Sequence, residues 1–500
     1  MSDKLDLLNA KIAEIADLNG IGALLGWDQQ VLMPSGGTED RANQAALIGQ
    51  LSHQRTTSDE MGQLISDLEA ELGDLNADTD EARIVKLAKR NYELLTKIPL
   101  EKLIEFIRVT TMANDVWVKA RQENNFKSFQ PILQRIIELR QEYSEVFKPY
   151  DHVYDPLLDQ FEPGMKTADV IKIFDILRPK QVELIKAIRD SKQVDNSFIK
   201  QNYAKDLQEK FGRFVITRFG YDWTRGRLDI APHPFTTGFG WGDTRITTRY
   251  LDNDGLSALF STMHESGHAM YEQGLDKKYA RTAIQGGTSL AFHESQSRMW
   301  ENLVGRSYEF WTYFYPTFQM LFSNHLGNVS LDQFYKGINR VEPSLIRVEA
   351  DEATYNLHIM LRLEIEIGLI ENSIDSKDLP EIWNTKMQEY LGVTPPNDTL
   401  GVLQDVHWSG GMIGYFSTYA LGNVVSAQLW DAMRADHSTI PDEMRKGNFS
   451  TILNWLRDKV HKHGSKYEPQ ELLQKITGHK LSPEPYIHYL TEKYKNIYNI

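Results

Sequence analysis

The sequence predicts a large, mainly α protein, and three observations carry that reading. Apolar residues recur at i, i+3, i+4 and i+7 through most of the chain. No Pro/Gly/Ser-rich linker, internal repeat or low-complexity run interrupts them. Only one region, 226–251, gives up helix formers for glycine, proline and β-branched residues. With 41% hydrophobic and 11% aromatic residues, a chain of 500 residues has ample material for a large core.

In chain order, residues 3–25 come first, with Leu5, Leu8, Ile12, Ile15 and Leu18 on one face. Stretches 81–95, 100–122, 129–146, 167–191 and 197–219 keep the same spacing. Region 226–251 then holds Leu228-Asp229-Ile230, His233-Pro234-Phe235 and Asp243-Thr244-Arg245-Ile246-Thr247. Its run Arg245–Tyr250 reads as a strand, so a small antiparallel β-sheet is expected here. An exposed edge of such a sheet can pair with an extended peptide backbone; an ordinary hairpin without a ligand is the plain alternative. Helical spacing returns at 343–371, 420–434, 448–463 and 468–476.

Composition excludes several classes. The net charge of −14, from 55 basic and 69 acidic residues, argues against a nucleic-acid partner, which needs basic patches. With no cysteine there is no disulfide framework, thiolate metal site or cysteine nucleophile, which fits a reducing cytoplasm. The start, Met1-Ser2-Asp3-Lys4-Leu5-Asp6, lacks the basic-then-apolar layout of a signal peptide. No stretch approaches the ~18 apolar residues of a membrane span.

The most informative segment lies between those elements. His264-Glu265-Ser266-Gly267-His268 sits in a stretch where Leu256, Leu259, Phe260, Met263, Gly267 and Met270 recur at helical spacing. Leu251-Asp252-Asn253-Asp254-Gly255 supplies capping and turn residues ahead of it, and Gly274 a stop behind. Two histidines four apart lie one above the other on a helix, so both can grip one Zn²⁺, with Glu265 placed to handle its water. Gly267 costs about 1 kcal/mol in helix propensity but lets another element approach closely.

A catalytic zinc wants three protein ligands and one open position. The next segment, 291–302, also reads as helical after the turn Gly286-Gly287-Thr288. Glu294 is the preferred third ligand, one turn from Arg298, which can orient it. His293 and Glu301 are rival ligands, and a solvated Glu294–Arg298 ion pair is the bland reading.

Several blocks in order resemble one family, the carboxypeptidase Taq family of zinc metallocarboxypeptidases. They are Gly26-Trp27-Asp28-Gln29, His233-Pro234-Phe235, Asp243-Thr244-Arg245-Ile246-Thr247, His264-Glu265-Ser266-Gly267-His268 and His293-Glu294-Ser295-Gln296-Ser297-Arg298. Further on come Ile346-Arg347-Val348-Glu349-Ala350-Asp351-Glu352 and Gly401-Val402-Leu403-Gln404-Asp405-Val406-His407-Trp408. The pattern departs at Ser417, where the family has proline, so a less rigid loop is expected there.

The resemblance implies a helical zincin-type fold with a deep central groove and two helical lobes, forming a single catalytic domain over 1–500. It implies a homodimer that removes single residues from peptide C-termini with broad specificity. His264, His268 and Glu294 would hold one Zn²⁺ per chain, for which Co²⁺ could substitute, and Glu265 would be the base. His407 and Tyr415 are expected to serve catalysis as oxyanion donors, with Tyr419 beside them. Arg347 and Arg245 are candidates for reading the substrate carboxylate, since a guanidinium offers a two-pronged fork. His233 and Gln404 are expected to contact substrate. By spacing, Arg347, Asp351, Thr354 and His358 share one helical face, so Asp351 is the expected partner of Arg347.

Two rivals remain at this point. A zinc oligopeptidase, dipeptidase or aminopeptidase would use the same metal chemistry, and a helical scaffold with a vestigial metal site would use none.

Overall fold

The computed structural model describes residues 3–500; Met1 and Ser2, the first residues read for a leader, lie outside the described residues. Two compact units emerge. The first comprises residues up to Thr96, Asn196–Ile338 and Leu429–Gly478. The second comprises Lys97–Asp195, Asn339–Gln428 and His479–Ile500.

In the first unit, helix Asp3–Val31 packs Leu5 and Leu8 against Met61, Leu64 and Leu68 of helix Asp59–Leu72. A second core is aromatic. Phe211 of helix Lys205–Phe219 meets Trp311, Phe314 and Phe318 of helix Tyr308–Leu321, with ring centroids 4.8–6.4 Å apart. Aromatic pairs at such spacing add about 0.5–1.5 kcal/mol each beyond their burial. The helical stretch expected over 197–219 is shorter in fact: it begins at Lys205.

The sheet has strands β1 (Leu228–Ile230), β2 (Thr236–Gly240) and β3 (Asp243–Thr248), in the order β1-β3-β2. β2 and β3 pair antiparallel with Thr236 opposite Ile246, while β1 and β3 pair parallel with Leu228 opposite Ile246. The expected antiparallel sheet is therefore mixed. The strand read as Arg245–Tyr250 is the central β3, with both edges paired, so it offers no free edge of its own.

Helix Ser257–Gln273 crosses beside this sheet and carries the histidine motif. The Asp254 carboxylate starts it by accepting from the Leu256 and Ser257 N–H groups at 3.0 and 2.9 Å. Gly274 ends it. Helix Leu290–Arg298 follows, started by the Ser289 hydroxyl accepting from Phe292 N–H at 3.1 Å. It runs into a π-helical turn, Met299–Val304, a form that recurs at functional sites. The two helices meet at Gly267, where a Cβ would lie 2.6 Å from Ser297 Cα.

In the second unit, helix Tyr355–Ile370 is buried almost throughout, against helices Phe126–Val146, Thr167–Arg189 and Leu379–Leu391. The expected helix over 343–371 starts only at Tyr355; Arg347–Glu349 is a separate 3-10 turn. Helix Ser417–Asp436 opens in this unit. Ser417 is its buried first residue. Proline is tolerated at that position, so the departure from the family pattern falls in a helix start rather than a loosened loop.

Candidate metal centre and substrate-end cluster

The first unit brings His264, His268 and Glu294 to one point, with one donor atom from each lying within 4.8 Å of the others. Their positions follow from the two helices. The histidines share one face of Ser257–Gln273, with ring centroids 4.9 Å apart. Glu294 reaches them from Leu290–Arg298 because glycine at 267 lets the backbones close. His264 Nε2 and His268 Nε2 lie 3.6 and 3.4 Å from Glu294 Oε2. Ligand atoms about 2.0–2.1 Å from a tetrahedral ion stand roughly 3.3 Å apart, so this donor set fits a metal.

The two rival ligands hold other posts. Glu301 Oε2 lies 2.9 Å from His264 Nδ1, on the ring atom turned away from Glu294. His293 Nδ1 lies 2.7 Å from His268 Nδ1, likewise behind its ring. The π-helical turn puts Glu301 in place, a twist that the 3.6-residue reading of 291–302 does not foresee. Arg298 donates from Nε to Glu294 Oε1 at 2.7 Å and from Nη1 to Glu301 Oε2 at 3.2 Å, so it orients both carboxylates.

Protonation follows from these neighbours. Burial opposes the charge of Glu294, but Arg298 and the histidines outweigh it and hold the carboxyl far below its usual range. Glu301 is likewise held down, to about 2, with Arg298 and His264 overcoming burial. Burial lowers His268 to about 4, while His264 is raised because Glu294 and Glu301 outweigh its burial. Glu265 is buried and its carboxyl is pushed up by burial, against the pull of His264 and Thr236. Thr236, at the start of β2, donates its hydroxyl to Glu265 Oε2 at 2.6 Å. The sheet thus supports the acid of the motif, a function that sequence pattern did not reveal.

Arg245, also in the first unit, pairs with Asp243 through Nε and Nη2 at 3.0 and 2.7 Å. Its guanidinium sits 4.4 Å from the Trp27 ring and 4.7 Å from the Phe239 ring, which gives Trp27 of the Gly-Trp-Asp-Gln block its contact. His233 is exposed in the loop ahead of β2.

The second unit assembles Arg347, Gln404, His407, Tyr415 and Tyr419. Arg347, 5% exposed, donates from Nε and Nη2 to Asp405 Oδ1 at 3.1 and 2.8 Å and from Nη1 to Tyr355 Oη at 3.1 Å. The expected partner Asp351 is spent elsewhere: its oxygens accept from the Glu342, Ala353 and Thr354 N–H groups. Arg347 is not on the helix that begins at Tyr355, so spacing did not bring the two together. Asp405 also takes Arg362 Nε at 2.7 Å. Asp405 and Arg362 carry no signal of this role in the sequence, although Asp405 lies in the Gly401–Trp408 motif.

Gln404 Oε1 accepts from Arg347 N–H and Arg362 Nη2, both at 2.9 Å, while Nε2 donates to the Leu345 carbonyl at 3.0 Å. Its amide is thus occupied at both ends by its own unit, which makes it a brace for the arginines. Tyr419 Oη is 3.5 Å from His407 Nε2, and the Tyr415 and Tyr419 rings meet edge to face at 5.2 Å. Burial lowers His407 to about 4, so its ring is neutral and keeps one N–H to donate. Behind this segment, the fully buried Glu366 accepts from Tyr154 Oη at 2.5 Å, Trp408 Nε1 at 2.8 Å and Gly414 N–H at 3.0 Å.

Residues 7–494 match the family described as Carboxypeptidase Taq (M32) metallopeptidase. The chain is 40% identical over 495 residues to Thermostable carboxypeptidase 1 of Thermus thermophilus, covering 97% of each chain. It is 41% identical over 480 residues to Carboxypeptidase 1 of Bacillus subtilis, covering 95% of each. Among solved structures, the M32 carboxypeptidase from Deinococcus radiodurans R1 superposes with a TM-score of 0.96 at 37% identity, covering 99% of this chain and 100% of that one. The chain therefore belongs to the carboxypeptidase Taq (M32) family and is a metallocarboxypeptidase.

Proposed function

From that membership we propose that the chain is a zinc-dependent carboxypeptidase. It releases single residues from the C-termini of peptides with broad specificity, and residues 1–500 act as one catalytic domain. The observation that carries the reading is the convergence of two neutral-capable imidazoles and one ionised carboxylate, with Glu265 next to His264 in the same helix. His264, His268 and Glu294 would hold one ion per chain, and Co²⁺ could take the place of Zn²⁺. A zinc ion so held lowers the pKa of water to about 7 and polarises the scissile carbonyl.

The remaining steps belong to the chain's own groups. Glu265 takes the proton of the attacking water and returns it to the leaving amine. The Thr236 hydroxyl on its Oε2 keeps the carboxylate aimed. His407 and Tyr415 donate to the oxyanion as it forms, with Tyr419 holding His407. Arg347 reads the terminal carboxylate, with Arg245 as the alternative anchor. His233 and Tyr419 contact the peptide, and Gln404 acts through the arginines it braces. A homodimer in the cytoplasm belongs to the same proposal. Among the described residues no helix is long and apolar enough to cross a membrane.

Chelation followed by metal return tests the reading. Stripped protein should lose the release of C-terminal residues and regain it with one equivalent of Zn²⁺. Release of internal fragments, or activity untouched by chelation, would contradict it.

A further inference from the structure

We propose that His293 is a positioning residue for the metal site: an imidazole-to-imidazole relay, His268–His293–Glu272, fixes the tautomer and ring angle of His268. The inference rests on His268 being a metal ligand and goes beyond that reading, because it explains what holds this ligand in its orientation.

The hydrogen bonds have only one consistent direction when His268 offers Nε2 toward Glu294. His268 Nδ1 must then carry the proton, and its neighbour 2.7 Å away is His293 Nδ1, which must accept. A neutral imidazole that accepts at Nδ1 donates at Nε2, and His293 Nε2 faces Glu272 Oε1 at 2.7 Å. Glu272 thereby sets which nitrogen of His293 is protonated, and His293 sets it for His268. His264 is backed differently, by the Glu301 carboxylate directly at 2.9 Å. One ligand is thus steered by a carboxylate and the other through an intervening ring.

The seat of His293 is built for that ring. Tyr271 packs against it with centroids 5.1 Å apart. On the Gly286-Gly287 loop, a Cβ at Gly287 would fall 2.9 Å from His293 Cδ2 and from Tyr271 Cε1. Glycine at 287 is thus what lets both rings fit, and Gly286 has a φ of +110°, which favours glycine for the turn itself.

The test is Zn²⁺ affinity of the full chain, measured by competition with a chromophoric chelator, beside the thermal midpoint of the metal-free protein. Outer partners of metal-bound histidines typically carry about 10- to 100-fold in affinity. His293→Phe, which keeps the ring but removes both nitrogens, should weaken Zn²⁺ binding by about that factor. His293→Asn, whose Oδ1 can still accept from His268, should recover a large part of the loss. Glu272→Gln, which only weakens control of the His293 tautomer, should cost less than His293→Phe. Affinity equal to wild type in His293→Phe would overturn the relay. Should His293→Phe not fold, wild-type affinity in Glu272→Gln would overturn the relay too, whereas a loss in Glu272→Gln would support it. His268→Ala separates the two claims: if it keeps wild-type affinity, His268 is no ligand and the metal reading itself fails.

Discussion

The metal centre of the first unit and the arginine cluster of the second both bury charge, with opposite surplus. Around the histidines, Glu294 and Glu301 pair with Arg298, Arg306 reaches Glu301, and Glu265 is buried on the Thr236 hydroxyl. Around Asp405, two guanidiniums, Arg347 and Arg362, share one carboxylate. Buried charges are costly unless paired, so a surplus of one sign favours a group of the other sign beside it. The first cluster suits a cation and the second an anion, the two charges that the proposed metal and terminal-carboxylate roles call for.

The sharpest way to break the first half of that comparison is to separate base from ligand. Glu265→Gln should keep its zinc, by elemental analysis, yet lose about 10²- to 10⁴-fold in kcat, the usual yield of a positioned general base. Glu294→Ala should lose both, because two histidines leave the site short of a ligand. Full zinc occupancy in Glu294→Ala would move the third ligand to Glu301 or His293.

The second half is tested by Arg347→Ala. Removing one partner of a desolvated charge pair costs about 2–4 kcal/mol, so kcat/KM for free peptides should fall roughly 30- to 1000-fold. A silent Arg347→Ala with a damaging Arg245→Ala would move the anchor to β3.

A smaller effect is expected at the helix contact beneath the metal. Gly267→Ala would set a Cβ 2.6 Å from Ser297 Cα and 2.7 Å from the Gln296 carbonyl oxygen, both backbone atoms that yield poorly. The expected destabilisation is about 1–3 kcal/mol in denaturant unfolding, with weaker Zn²⁺ binding as Glu294 is pushed aside. An unchanged midpoint would show that the two helices separate freely.

That contact also marks what the sequence could disclose. The histidine helix, its caps and the close approach at Gly267 were legible because each signal is local. Arg347 was legible as a cation but its partner was not, since Asp405 lies 58 residues away in the chain and only folding joins them. In helix Tyr308–Leu321 the buried Phe310, Trp311, Phe314, Tyr315 and Phe318 do form one stripe, but its many aromatic residues are poor helix formers and Pro316 interrupts the pattern. Helix Thr38–Thr56 escaped for another reason: it buries no residue and shows no stripe at all. Glu301 and His293 were seen as donors of the right kind, but the π-helical turn and the Gly287 seat decide which side of the ligands they reach.

The smallest effect concerns two carboxyls of the second unit with opposite surroundings. Burial pushes Asp405 up, but Arg362 and Arg347 outweigh it and hold it far below its usual range. Glu366, among neutral donors, is pushed up to about 7 by burial. The contribution of Asp405 is therefore present above about pH 3.9 and fades as pH falls below it. That of Glu366 has the reverse sign: it is complete below about pH 4.3 and lost as pH rises through about 7. Glu366→Gln should flatten the decline of the thermal midpoint between about pH 4.3 and 7, and an unaltered slope would place the titrating group elsewhere.

The most direct comparison is kcat/KM of the zinc-loaded protein for a peptide with a free C-terminus and for the same peptide amidated. Reading of the terminal carboxylate by a buried guanidinium predicts that the amide is a poor substrate and that Arg347→Ala hardly changes its hydrolysis. Equal cleavage of the two peptides would contradict the account, because the arginine cluster would then have no part in choosing the bond.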